Sequence, residues 1–186
     1  HGTCTRAPSQ PKLAAGDGRH PPPEASVAPV AVSHDADALA VPASGDPYAS
    51  LADLENAHGV ALGSATRFGS IAAPLQHYLD QTAGIWQSGG LINKPAGCFT
   101  SSASLHGGQE STLLHMMTPL LHHGAILVGV PYSETALFTT TKGGTPYGPS
   151  HVAGENNTTS LTDDERSICH AFGRRLATLA KQLASP

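Results

Sequence analysis

The chain has 186 residues, a mass of 19.0 kDa, a net charge of −4 with histidine neutral and a pI near 6.2. That is enough for one domain with a sizeable core and too little for two ordinary ones, and it supplies no basic footprint for a nucleic-acid backbone. Apolar residues make up 39% and charged residues 13%, a globular composition, and the longest strongly apolar run, 125–130, is far below the roughly 20 residues that cross a bilayer.

Eight of the fifteen prolines, Pro8, Pro11, Pro21, Pro22, Pro23, Pro29, Pro42 and Pro47, fall in about the first quarter of the chain. From Thr3 to Pro23 there is almost no apolar periodicity, and Pro8 and Pro11 forbid a continuous helix, so this stretch reads as loop or disorder. Residues 24–32 (EASVAPVAV) are weakly strand-like, with Pro29 confining any ladder to an edge. After Tyr48 the order is regular. Residues 50–57 place Leu51 and Leu54 on one side of a short helix, and 59–63 read as a buried strand. Ile71, Leu75, Tyr78 and Leu79 line one face of a helix over 70–81, with Pro74 tolerable only near its first turn. A strand over 96–100 and a helix over 110–123 follow, the helix carrying Leu113, Met117, Leu120 and Leu121 and a kinking Pro119, with Gly124 as its stop. Residues 125–131 (AILVGVP) are the most strand-like run, and the last helix opens at Thr162 with Glu165 at capping-box spacing and a stripe of Ile168, Phe172, Leu176, Leu179 and Leu183. Strands alternating with helices predict an α/β fold, a doubly wound parallel sheet with any ligand outside the carboxyl ends of its strands.

Three loops lie where that rule points. Residues 64–69 (SATRFG) offer the Thr66 hydroxyl, the flat Phe68 face, close backbone approach at Gly69 and helix-start amides; an ordinary strand-to-helix turn is the plainer account. Residues 101–109 (SSASLHGGQ) can wrap a planar polar ring edge or form a flexible surface loop. A serine hydrolase is set aside because no G-x-S-x-G elbow occurs. Residues 142–151 are turn-rich and alone say nothing about function. The eleven histidines include no H-E-x-x-H and no Cys/His quartet, so no metal is expected; an imidazolium cap on a helix C-terminus is a sufficient account of at least one of His122 and His123. Cys4, Cys98 and Cys169 read as reduced packing residues. Trp86, flanked by glycines, is expected either in the core or on a mobile loop that stacks on a ligand. No charged-then-apolar leader opens the chain, and the expected compartment is the cytoplasm.

Taken together, TRFGS at 66–70, LDQTAGIW at 79–86, GGQE at 107–110, LLHHG at 120–124 and GGTPYG at 143–148 resemble the WrbA family of NAD(P)H:quinone oxidoreductases, in family order from about Tyr48 to the C-terminus. The resemblance implies a flavodoxin-like sheet in one domain over 1–186, non-covalent FMN, NADH or NADPH as donor, two-electron reduction of quinones by a ping-pong hydride transfer, and a homotetramer. By the same resemblance Thr66, Arg67, Phe68 and Gly69 hold the flavin ring, and Ser101, Ser102, Ala103, Ser104, Leu105, His106 and Gly107 cradle it from a second loop. His122 is implied to reach the flavin, and Trp86 to wall the nicotinamide and quinone site beside a neighbouring subunit. No side-chain nucleophile is implied. The departure is at the front: Gly2 and Thr3 match the end of the family's FMN-phosphate loop and His1 a residue facing the nicotinamide, but the first strand is absent and residues 4–23 stand where the first helix belongs. This segment is expected to be a shifted reading frame or an incomplete copy. The alternative reading is an FMN-free, vestigial flavodoxin-like binding or oligomerisation module. A one-electron carrier is disfavoured by the mild charge.

Overall fold

A computed structural model of the protein describes residues 49–184. His1, Gly2, Thr3, Cys4, the irregular 4–23 segment and the strand expected over 24–32 lie outside the described residues.

Helix α1 (Leu51–Asn56) starts on a complete capping box in which Ser50 Oγ accepts from Asp53 N–H and the Asp53 carboxylate accepts from Ser50 N–H. β1 (Val60–Ala65) follows, burying Val60 and Leu62. α2 (Ala73–Asp80) has Pro74 in its first turn, where a missing N–H costs nothing, and buries Leu75, Tyr78 and Leu79; the Tyr78 hydroxyl donates to Ser50 O at 2.9 Å and ties α2 to α1. The helix begins three residues later than its apolar spacing predicts, because Ser70 is engaged in a turn with Arg67, and Ile71 is buried ahead of it. Trp86 lies on a short helix, α3 (Ala83–Ser88), closed by a left-handed Gly89, and is neither a core residue nor on a mobile loop.

β2 (Pro95–Ser102) is the central strand, parallel to β1 from Val60↔Ala96 to Ala65↔Ser101. α4 (Gln109–His122) runs back across it, with Pro119 inside the helix without ending it. The run that reads as the most strand-like yields only two strand residues, β3 (Ile126–Leu127), beside Pro95 and Ala96. After Val128 donates to Ala96 O the chain turns away, and Val130 N–H bonds instead to Pro146 O within the chain's own excursion. That excursion carries α5 (Ala136–Thr139) and returns as β4 (Ser150–Val152), which pairs with Thr100, Ser101 and Ser102. One ladder position beside β2 is therefore filled by two short segments.

α6 (Asp163–Ala184) is capped as its sequence predicts, Thr162 Oγ1 accepting from Glu165 N–H and Glu165 Oε2 from Thr162 N–H. Only the front half of its expected stripe is buried: Ile168 and Phe172 are inside, Leu176 is half-buried and Leu183 is exposed. The two faces of the sheet carry separate cores. Leu62, Cys98, Leu113, Met116 and Leu120 pack under α2 and α4, and Ala61, Val130, Ile168 and Phe172 pack under α6. Each fully buried Leu, Met, Ile or Phe contributes roughly 1.5–3 kcal/mol. Among the described residues no helix is long and apolar enough to cross a membrane.

Candidate functional site

Because the strands are parallel, β1, β2 and β4 all end on one rim, and the loops that leave them meet there. Thr66 N–H donates to Ser101 O at 2.8 Å, extending the ladder by one bond, and the chain then reverses. Arg67 and Ser70 exchange backbone bonds of 2.8 and 2.9 Å, with Phe68 at φ 52° and Gly69 at φ 76° between them. Both central residues are left-handed, which makes this a type I′ turn. Gly69 takes that conformation freely; for Phe68 it costs roughly 1–2 kcal/mol. The aromatic ring stands clear of the surface, fully exposed at 108% of its reference area.

The second loop is folded on itself. Ser102 Oγ donates to Ser104 O at 2.8 Å, Gly107 N–H donates to the same carbonyl at 3.2 Å, and His106 (φ 59°) and Gly108 (φ 95°) are left-handed. Ser101 and Ser102 belong to the end of β2, and residues 103–107 are exposed. The two loops touch backbone to backbone: a Cβ on Gly108 would stand 2.7 Å from Gly69 Cα. Behind them runs a hydroxyl ladder. Thr112 Oγ1 reaches Thr66 Oγ1 (3.2 Å) and Gly108 O (2.8 Å), and Thr100 Oγ1 reaches Thr66 Oγ1 (3.3 Å) and Ser64 O (2.8 Å).

The 143–148 turn is wired to this rim through buried groups. Gly144 N–H donates to Ser150 Oγ (2.7 Å), Ser150 Oγ–H donates to Gln109 Oε1 (2.7 Å), and Gln109 Nε2 donates to Ser102 Oγ (2.8 Å). Beneath it Glu165, 1% exposed, takes N–H bonds from Gly143, Val152 and Thr162 at 2.8–3.0 Å and faces His151 Nδ1 at 3.1 Å. Burial alone would raise the Glu165 carboxyl, but the bonds from Thr162, Val152, Gly143 and His151 outweigh it and hold it below its ordinary value.

Of the residues singled out in the sequence, Thr66, Arg67, Phe68 and Gly69 do meet Ser101–Gly107 at this rim. His122 and Trp86 do not. α4 travels about 20 Å from the rim before reaching His122, whose neighbours Gly124 and Ile126 bond to Asn93 and Lys94 at the amino end of β2. There Trp86, 55% exposed, donates its indole N–H to His122 O at 3.0 Å. His123 is no cationic cap. It is buried with Nε2 on Thr82 Oγ1 at 2.8 Å, and burial together with His122 lowers its pKa, which favours the neutral ring. Gln109, Thr112, Ser150 and Glu165 were not singled out as site residues. The capping spacing marks Glu165, and GGQE contains Gln109, but their roles arise from partners 13 to 46 residues away.

The rim suits one face and one edge of a flat, acceptor-rich ring such as the isoalloxazine of FMN. Phe68 offers a flat wall, the Thr66–Gly69 and Ser102–Gly107 turns bring small polar residues and backbone to one rim, and the Gly69–Gly108 contact leaves no side chain between them. Gly2 and Thr3, which the resemblance matches to a phosphate-holding loop, lie outside the described residues.

The profile of the family described as "NADPH-dependent FMN reductase" matches residues 25–138. Three proteins named "NAD(P)H dehydrogenase (quinone)" are similar to the chain. The one from Chromohalobacter salexigens is 44% identical over 127 residues, covering 67% of this chain and 63% of its own. Those from Solidesulfovibrio magneticus and Trichlorobacter lovleyi are 39% and 40% identical, covering 74% and 75% of this chain and 68% and 69% of their own. The chain thus spans about two thirds of the length of these relatives. Among solved structures, the flavodoxin, WrbA-like protein from Agrobacterium tumefaciens superposes with a TM-score of 0.54 at 23% identity over 71% of each chain, a likeness of fold. With its parallel sheet, its two loops at one rim and a family match across more than half its length, the chain belongs to the NADPH-dependent FMN reductase family and has a flavodoxin-like fold.

Proposed function

We propose that this chain, as one domain, is an NAD(P)H:quinone oxidoreductase that carries FMN on the Phe68 rim. The observation that carries the reading is the Phe68 ring, raised on a strained turn beside the Ser102–Gly107 loop at the carboxyl ends of the strands. When bound, FMN supplies two-electron chemistry between a nicotinamide and a quinone. The residues supply the surroundings: Phe68 shields one side from water, Thr66 and the second loop present polar groups to the ring edge, and the hydroxyl ladder fixes their spacing. In the net reaction NAD(P)H and one proton reduce a quinone to its hydroquinone and leave NAD(P)+. The cytoplasm, where NAD(P)H is generated, is the compartment this reading requires.

Titration of the purified protein with FMN is expected to quench flavin fluorescence to a 1:1 end point, and double-reciprocal plots at several quinone concentrations are expected to be parallel. Intersecting lines reject alternating use of one site. Colourless protein that never quenches FMN removes the enzyme reading in favour of a cofactor-free module.

The same reading includes a homotetramer, because Trp86 and His122 stand at the far rim of their own chain and serve this site only from a neighbouring copy. Sedimentation is expected to give four copies, and Trp86→Ala to raise the quinone KM severalfold with FMN retained. A fully active monomer overturns the tetramer.

A further inference from the structure

Helix α4 reaches the Phe68 turn from outside at a second point. Ser70 closes the turn, and its Oγ lies 2.6 Å from His115 Nδ1, one helical turn beyond Thr112. Thr112 Oγ1 also approaches Ser70 O at 3.4 Å, so the residue that ends the reversal is held through both its main chain and its side chain. Positions i and i+3 of a helix share a face. The pair is solvent-exposed, so it is not a packing contact, and His115 Nδ1 has a single partner, the Ser70 hydroxyl. A left-handed aromatic persists only where its surroundings over-determine it. Inside the turn there are just the two Arg67–Ser70 backbone bonds, and Arg67 Nη1 spends its bond on Thr66 O within the same loop. The Ser70–His115 bond, at 2.6 Å, is the shorter of the two side-chain links from α4 to the far limb of the turn, and it is made through the Ser70 hydroxyl.

We propose that His115 is a positioning residue: through the Ser70 hydroxyl it fixes the Arg67–Ser70 turn, and with it the Phe68 ring, in the geometry that receives a flat aromatic ligand. This rests on the FMN reading for the identity of the ligand, though not for the state of the turn. The imidazole touches no reacting atom; it acts by removing a degree of freedom from the loop.

The test compares wild type, His115→Ala and His115→Asn, whose side-chain amide keeps a hydrogen-bonding atom near the position of Nδ1. In the FMN-free proteins, amide hydrogen exchange at Arg67 and Ser70 is expected to quicken about three- to tenfold in His115→Ala and to return to within about twofold of wild type in His115→Asn. The Kd for FMN is expected to follow the same order and size, with Tm moving by no more than about 2 °C because the pair is on the surface. Unchanged exchange in His115→Ala, or an Asn variant as loose as the Ala variant, overturns the proposal. A wild type that does not bind FMN instead removes the functional reading, and the exchange measurement still decides the role of His115.

Discussion

Replacing Glu165 with alanine is expected to destabilise the protein by about 3–5 kcal/mol, lowering Tm by roughly 10 °C. The carboxylate is 1% exposed and accepts from three backbone N–H groups on three separate segments: Gly143 in the excursion, Val152 in β4 and Thr162 ahead of α6. Truncation leaves those donors buried without acceptors, and an unmet buried donor costs about 1–3 kcal/mol. Glu165→Gln keeps the shape but presents an amide NH2 where one N–H needs an acceptor, so about 2–3 kcal/mol is expected. Urea melts of the three proteins at neutral pH measure this directly. The pH dependence adds a signature. The folded-state pKa of Glu165 is lowered, so its contribution is fully present above its ordinary value of 4.5 and is lost as pH falls through the folded value. The stability gap between wild type and Glu165→Ala is therefore constant above about pH 5.5 and shrinks in acid. A gap under about 1 kcal/mol at pH 7 would show that water replaces the carboxylate.

Gly108→Ala is expected to raise the Kd for FMN at least about tenfold and to cost about 2 kcal/mol or more of stability. Two effects combine. Gly108 sits at φ 95°, a conformation L side chains rarely adopt, and its new Cβ would lie 2.7 Å from Gly69 Cα and 3.3 Å from Gly69 N. These are backbone atoms of the neighbouring turn, so no rotamer change relieves the clash and the two loops must separate. Separation pulls the Phe68 turn away from the Ser102–Gly107 loop and stretches the Thr112 contacts to Thr66 and Gly108 O. Fluorescence titration with FMN checks the first effect and a thermal melt the second. Wild-type affinity in a folded Gly108→Ala protein would mean that the Phe68 rim does not hold the cofactor.

The winding order was legible in the sequence because local signals agreed with the final packing. Leu75 and Leu79, Leu113 and Leu120, and Ile168 and Phe172 are all buried on the faces their spacing assigns. Where tertiary pairing overrides propensity the reading failed. Val128 and Val130 continue the apolar run of 126–127, yet Val130 bonds to Pro146 in an excursion that no local pattern announces. The two rim loops were legible as loops that follow strands, since strand ends and small polar residues mark them. Their couplings were not. Ser70 to His115 spans 45 residues and Gln109 to Ser150 spans 41, and side-chain bonds of that reach leave no periodic trace. His122 and Trp86 show a further limit, because a motif does not say at which end of the sheet its residues will stand.

The core of β2 also bears on how the protein would withstand the proposed quinone chemistry. Hydroquinones reoxidise in air and release peroxide, which attacks cysteine sulfur as the thiolate. Cys98 is fully buried in the central strand, and burial pushes its thiol up to about 12; Cys169 on α6 is raised to about 11. Neither ionises appreciably near neutrality, so turnover under oxygen would leave these two sulfurs unoxidised.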